Sequence, residues 1–344
     1  MRFTVLGAGA MGSAFATPLR AGGHDVRVWG TWLDGQILET LRRGEPHPGT
    51  GVRLAAGCAL HDAEDLAAAL DGAEAVLVAI SSVGLADVLD RALPLLPSAA
   101  VLALATKGFV ATDDGPVLIP DAVRARAPEA RLAVVGGPCK ANEVAAGRPT
   151  LAVVGARDLA RAEGLAEAMS TPVYRVEACA DEPGVEVCAA LKNVYAIALG
   201  IADGLPTEDP TGDQPWHDLR AALFTRALRE LRDATALAGG DPTTPHGPAG
   251  VGDLEVTGLS GRNKVFGIRV GGGERPSVAL DAMAAEGRLV EGVPAARLAR
   301  GWVGADLDRF PLLAALCDLL DTDRSPATDA DARHRIVEAA LHGR

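Results

Sequence analysis

Aromatic residues are scarce in this chain: Phe, Trp and Tyr make up 3% of its 344 residues. Large rings cannot carry the core, so Ala, Val and Leu must pack it, and a hydrophobic content of 48% allows them to. Positive charge is also short, with 33 Lys and Arg against 45 Asp and Glu, a net charge of -12 and a pI near 5.1. That balance argues against a nucleic-acid partner, because a phosphate backbone needs clustered Lys and Arg. It leaves room for a small phosphorylated substrate, since a few local cations hold one phosphate. Cys58, Cys139, Cys179, Cys188 and Cys317 are odd in number, scattered and without a CxxC pair. Neither a disulfide framework nor a metal site is indicated, and a reducing compartment is expected. No apolar run reaches the ~18 residues of a membrane span. Strand-like sequence from Arg2 leaves no room for a cleavable leader. The expectation is a soluble, cytoplasmic protein without membrane insertion.

A chain of this length exceeds one ordinary core, so two domains are the natural reading. In the first half, short apolar runs alternate with helical stretches. Phe3–Leu6, Asp25–Trp29, Ala75–Ile80, Val101–Ala105, Leu132–Val135 and Leu151–Val154 read as strands, and Met11–Ala21 as a helix. Repetition of strand, helix and strand predicts a parallel sheet covered on both faces, which binds ligands at the carboxyl ends of its strands. From about Asp181 strand-like runs disappear. Helical stretches follow at 182–203, 217–239, 291–302, 310–320 and 328–341. The predicted architecture is an α/β Rossmann-type doubly wound sheet domain over 1–180, followed by an all-α domain over 181–344. Apolar Ala/Leu helix faces permit a homodimer.

Gly7-Ala8-Gly9-Ala10-Met11-Gly12 follows the first strand and opens the first helix. In that context the glycines spell a dinucleotide site for NAD or NADP. Gly7 permits the tight turn, Gly9 lets the pyrophosphate approach, and Gly12 lets helix and strand pack closely. Helix amides and the helix dipole hold the phosphates. An acid at the end of the second strand would mark NAD and a nearby Arg NADP. Asp34 lies beyond the strand end, and Arg42 and Arg43 lie further off, so neither rule applies. Trp32 is a candidate to stack on adenine, or a packing residue.

Polar groups recur where strands and helices end: Thr106-Lys107-Gly108, Gly137-Pro138 with Ala141, Gly252-Asp253 through Thr257, and Gly261-Arg262-Asn263. Lys192 lies inside the apolar helical run from Val185 to Leu205. An ammonium there must find a partner, neutralise, or snorkel to a helix end. Two lysines, an aspartate and an arginine make a kit for polarising a carbonyl, moving one proton and clamping a phosphate. Each has a plainer reading: Lys107 as a solvated strand end, Asp253 as a helix cap, Arg262 as a surface ion pair.

From Gly7 to about Leu320, these segments together with Asp203-Gly204-Leu205 and Val290-Glu291-Gly292 make the chain resemble an NAD(P)-dependent glycerol-3-phosphate dehydrogenase. The resemblance implies hydride transfer between NAD(P)H and dihydroxyacetone phosphate, giving glycerol 3-phosphate reversibly. It implies Lys192 as general acid or base, with Lys107 and Asp253 binding and polarising the substrate. Asn193 and Thr257 are similar to supporting groups, Arg262 and Asn263 to a phosphate site, and Glu291 to a nicotinamide contact. For the cofactor it implies Gly7, Gly9, Ala10, Met11, Gly12, Trp32, Ala141, Arg262 and Glu291. The chain departs from the family at Lys140, over Arg42–Leu54, and in a longer Pro206–His217 segment, read here as a lid or specificity element. Those departures leave a related phosphorylated or phosphonate ketone, or a nucleotide sensor without turnover, as alternative readings.

Overall fold

The computed structural model describes residues 1–206, 216–321 and 334–341. Most of the Pro206–His217 segment, and the part of the 328–341 stretch before residue 334, lie outside the described residues.

Two compact units are present, one of residues 1–110 and 118–186, the other of 111–117 and 187–344. The first is built on an eight-stranded sheet. Its strands are β1 (Arg2–Leu6), β2 (Asp25–Trp29), β3 (Ala59–His61), β4 (Ala75–Val78), β5 (Val101–Leu104), β8 (Arg131–Gly136), β9 (Thr150–Gly155) and β10 (Tyr174–Cys179). Strands β6 (Phe109–Thr112) and β7 (Gly115–Leu118) form a separate pair. The sheet order is β10-β9-β8-β5-β4-β1-β2-β3. Helices α1 (Ala10–Ala21), α2 (Gly35–Arg42), α3 (Leu66–Leu70), α4 (Leu85–Ala92), α5 (Ile119–Arg126), α6 (Ala141–Ala145) and α7 (Leu159–Met169) connect the strands.

Strand alternation makes two cores. Phe3, Val5, Ala75 and Leu77 join one cluster with Phe15 and Leu19 of α1, while Leu6, Val76 and Val78 join another with Val88 and Leu89 of α4. Both faces are therefore dry, as the continuous apolar runs require. The pairing of β1 with β2 and with β4 is parallel, so the ends of β2 and β4, at Trp29 and Val78, flank Leu6 at the end of β1 just before the glycine turn. One expectation is corrected: β8 and β9 pair antiparallel, Val135 opposite Val154. Their connection holds only the five-residue α6, too little for the crossover that a parallel pair needs.

The second unit is helical. Its elements are α8 (Glu182–Gly204), whose first turn is in the other unit, α9 (His217–Leu237), α10 (Asp253–Leu259), α11 (Arg262–Gly271), α12 (Pro276–Ala285), α13 (Gly292–Val303) and α14 (Pro311–Leu320). The sequence reading found no run of membrane length, yet α8, 23 residues long, is long and apolar enough to span one; 94% of its apolar window is buried in the protein. Glycines explain its closest packing. A Cβ on Gly200 would overlap the Lys264 carbonyl and lie 3.0 Å from the Gly267 Cα, and Gly204, Gly267 and Gly271 are as tightly met by the facing helix. Helices α8 and α11 touch backbone to backbone.

Candidate active site

In the first unit the candidate site groups are mostly main-chain atoms. Gly7 has φ +107°, and a Cβ there would lie 2.7 Å from the Ala79 carbonyl and from Ile80. Only glycine tolerates both conditions. A Cβ on Gly12 would overlap the Gly7 carbonyl, so this glycine lets α1 lie on the turn. Gly9 differs: its backbone is ordinary, with φ −63° and ψ 179°, and a Cβ there would meet nothing within 4 Å. It is the N-cap of α1 and offers no side-chain cap, so the turn leaves the amides of Ala10, Met11 and Gly12 facing an open cradle. An open space beside uncapped helix amides fits a pyrophosphate.

Around this turn, Asp34 is closer than its sequence distance suggests. Its Oδ2 accepts from the Thr31 amide at 2.8 Å, the Thr31 hydroxyl at 2.9 Å and the Ala8 amide at 3.3 Å. The chain folds back after β2, so counting residues beyond the strand end misjudged it. Trp32 is 44% exposed, with the Arg91 guanidinium 4.8 Å from its ring centroid. It is thus a surface ring and no core residue. Ala141 opens α6 and packs against the α1 side of the sheet.

Thr106, after β5, accepts from the Ile80 amide at 3.3 Å, with its hydroxyl 3.1 Å and 3.0 Å from the Val78 and Ile80 carbonyls. It ties the ends of β4 and β5 together and presents Lys107, which is followed by Gly108 at φ +125°. The sequence reading passed over Glu186. This residue is fully buried, and neither carboxylate oxygen has a hydrogen-bond partner of ordinary geometry. Burial, and then the charge of Glu182, push its carboxyl well above the usual carboxylate range, against the opposing pull of Lys107 and the Gly108 amide. Glu182, one turn earlier, is balanced by Arg124 at 2.6 Å. An acid in the second position of the apolar Val185–Leu205 run, far from Asp203 at its other end, was the available signal.

In the second unit the candidate site groups are side chains. Lys192 on α8 and Asp253 at the start of α10 form a close buried ion pair, 8% and 0% exposed. Desolvation makes either charge costly alone, so each holds the other in place. This answers how Lys192 survives in an apolar helix: it finds a partner and does not snorkel. Thr257 turns back on its own helix and donates to the Asp253 carbonyl at 2.6 Å. Glu291 gathers two other predicted residues: Arg262 donates to Oε1 at 3.2 Å and the Asn193 amide to Oε2 at 3.4 Å. The Arg262–Glu291 pair is about half exposed on both sides. Such a half-exposed pair is worth little in water. Asn263 is nearly buried, and its Oδ1 accepts the Gly292 amide at 2.8 Å, fixing the start of α13 and so Glu291. A Cβ on Gly292 would sit 2.5 Å from the Asn193 carbonyl, which is why glycine follows Glu291. Lys192, Asp253 and Thr257 thus form one group, and Asn193, Arg262, Asn263 and Glu291 another. Lys140, by contrast, pairs with Glu143 at 3.8 Å on the surface.

Comparison with known proteins agrees with both halves. Residues 2–162 match the model of the NAD-dependent glycerol-3-phosphate dehydrogenase N-terminus, and residues 181–330 that of its C-terminus. An NADP(+)-dependent glycerol-3-phosphate dehydrogenase of Archaeoglobus fulgidus is 34% identical over 302 residues, covering 87% of this chain and 89% of the relative. A glycerol-3-phosphate dehydrogenase [NAD(P)+] of Rhodospirillum rubrum is 36% identical over 324 residues, covering 93% and 88%. Among solved structures, the glycerol-3-phosphate dehydrogenase of Coxiella burnetii superposes with a TM-score of 0.83 at 29% identity, covering 98% of each chain.

Proposed function

The chain belongs to the NAD-dependent glycerol-3-phosphate dehydrogenase family, and from that membership we infer that it interconverts dihydroxyacetone phosphate and glycerol 3-phosphate with NAD or NADP. The observation that carries the chemistry is the buried Lys192–Asp253 pair. Gly7 to Gly12 would hold the nicotinamide nucleotide, which would supply or accept the hydride. Reduction of the ketone builds negative charge on its oxygen. An ammonium at that oxygen stabilises the charge and then gives up its proton, leaving the alcohol. Lys192 takes this part. Asp253 keeps it oriented. Lys107 adds a second cation for the substrate.

Arg262 takes the phosphate end. Its planar fork matches phosphate oxygens, and exchange of Glu291 for the phosphate replaces a half-exposed single contact by a bidentate one. Asn193, Asn263 and Thr257 hold the surrounding backbone and Glu291. A nucleotide sensor without turnover has no use for a proton donor in this setting, so the buried pair favours catalysis. Five scattered cysteines without a CxxC pair are in keeping with a cytoplasmic location.

A steady-state assay of dihydroxyacetone phosphate with NADH and with NADPH tests this reading. Consumption of the reduced nucleotide that depends on the ketone, with glycerol 3-phosphate as product, is expected. No ketone-dependent consumption with either nucleotide contradicts it.

A further inference from the structure

The Arg42–Leu54 segment, where the chain departs from its family's pattern, carries a buried histidine that the reaction does not use. We propose that His47 is a positioning residue for the nucleotide phosphates, holding the Ala8 peptide, and with it the Gly7–Gly9 turn, in its binding shape before the nucleotide arrives.

His47 is 2% exposed. Its Nδ1 accepts the Gly49 amide at 2.9 Å, which leaves the ring proton on Nε2. Nε2 donates it to the Ala8 carbonyl at 2.9 Å. One backbone amide thus fixes the tautomer that the contact needs. The histidine's own main chain is anchored as well: its amide donates to the Val52 carbonyl at 2.9 Å, and its carbonyl accepts the Gly51 amide at 2.8 Å. The loop sits directly on α1, since a Cβ on Gly49 would lie 3.2 Å from the Ala10 Cβ.

Ala8 is the residue between the two glycines of the turn. The Ser13 hydroxyl also donates to its carbonyl at 2.9 Å, and its amide donates to Asp34 at 3.3 Å. Side chains from three separate segments therefore clamp both polar atoms of one residue, at the point where the backbone changes from the φ of +107° at Gly7 to the extended Gly9. A glycine-rich turn without such a clamp samples many shapes, and binding must then order it. A turn already held in shape avoids that cost. Burial alone does not require a histidine: a leucine fills similar space but leaves the Ala8 carbonyl with one donor fewer.

The inference rests on reading Gly7–Gly12 as the nucleotide site. NADH and NADPH are titrated into the full-length wild-type protein, His47→Leu and His47→Gln by fluorescence, with thermal midpoints and steady-state constants for each. His47→Leu should weaken nucleotide binding about threefold to tenfold, the scale of one hydrogen bond. The turnover number at saturating nucleotide and KM for dihydroxyacetone phosphate should stay unchanged. His47→Gln keeps an N–H donor near the Nε2 place and should recover most of the affinity. A folded His47→Leu with wild-type affinity, or equal loss in both variants, overturns the proposal. Should His47→Leu not fold, Ser13→Ala removes the other donor to the same carbonyl: weaker nucleotide binding supports the clamp, and unchanged affinity overturns it. A wild-type protein that binds neither nucleotide overturns both this inference and the reading beneath it.

Discussion

The candidate sites of the two units are built by different means. In the first, Gly7 to Gly12 offers backbone amides from one turn, and the side chains nearby serve to hold that turn. In the second, Lys192, Asp253, Arg262 and Glu291 come from separate elements, with Asn193 and Glu291 98 residues apart in the chain. The first site is a property of local chain geometry. The second depends on how helices pack, above all on the glycine contact between α8 and α11. A backbone site is damaged by adding atoms, whereas a side-chain site is damaged by removing charge or by moving a helix.

The largest expected effect is on the side-chain site. Lys192→Ala should lower kcat/KM by about a hundredfold or more, the scale of lost acid–base assistance. Near-normal turnover in the folded variant would remove Lys192 from its role. Next, Gly200→Val forces side-chain atoms into the Lys264 carbonyl and the Gly267 backbone, and should destabilise the protein by about 2 kcal/mol. Chemical denaturation reads this, and an unchanged midpoint would show that α8 and α11 can part without cost. On the backbone site, Gly9→Val should leave the thermal midpoint alone, because a Cβ there meets nothing, yet fill the cradle and weaken nucleotide about tenfold. Gly12→Ala should instead lower the midpoint, since its Cβ overlaps the Gly7 carbonyl. Equal behaviour of the two glycine variants would erase the distinction between cradle and packing contact.

The remaining effect depends on pH and comes from Glu230. This buried acid accepts the Leu312 and Leu313 amides at 2.7 Å and 3.0 Å and the Tyr195 hydroxyl at 3.0 Å, capping α14. Burial outweighs those bonds and pushes its carboxyl up to about 7 from an ordinary 4.5. The folded protein therefore holds this proton more tightly than the unfolded chain. The stability it contributes is present in full below pH 4.5 and is lost as pH rises through about 7. Between those values stability should fall by about 1 kcal/mol per pH unit relative to Glu230→Gln, which carries no such proton. Denaturation of the two proteins side by side checks the slope, and parallel curves would contradict it.

How far the sequence announced these features follows the same division. Six residues spell the nucleotide turn, because a turn is a local object and its glycines are needed for local reasons. Lys192 stood out as a charge in an apolar helix, and Asp253 proved to be the partner that physics demanded. Contacts made by folding back were not legible. Asp34 appeared too distant for the turn because the distance was counted along the chain, while the Gly30–Asp34 bend returns its carboxylate to Ala8. The antiparallel β8–β9 pair, His47 beneath the turn, and the way Glu291 joins Arg262 to Asn193 all depend on tertiary approach, which neither periodicity nor spacing encodes. Gly200, Gly204, Gly267 and Gly271 did carry a signal, small residues four apart on two helices, and it went unread.

One paired measurement tests the division of labour most directly: nucleotide affinity and ketone-dependent turnover, determined together for the wild-type protein, Gly9→Val and Lys192→Ala. A crossed pattern is expected. Gly9→Val should lose nucleotide affinity about tenfold and keep most of its turnover once nucleotide is saturating. Lys192→Ala should bind nucleotide as the wild type does and lose about a hundredfold or more in turnover. If Lys192→Ala instead turns over dihydroxyacetone phosphate at the wild-type rate, or loses nucleotide affinity as severely as Gly9→Val does, then Lys192 is not the proton donor of an independent second site.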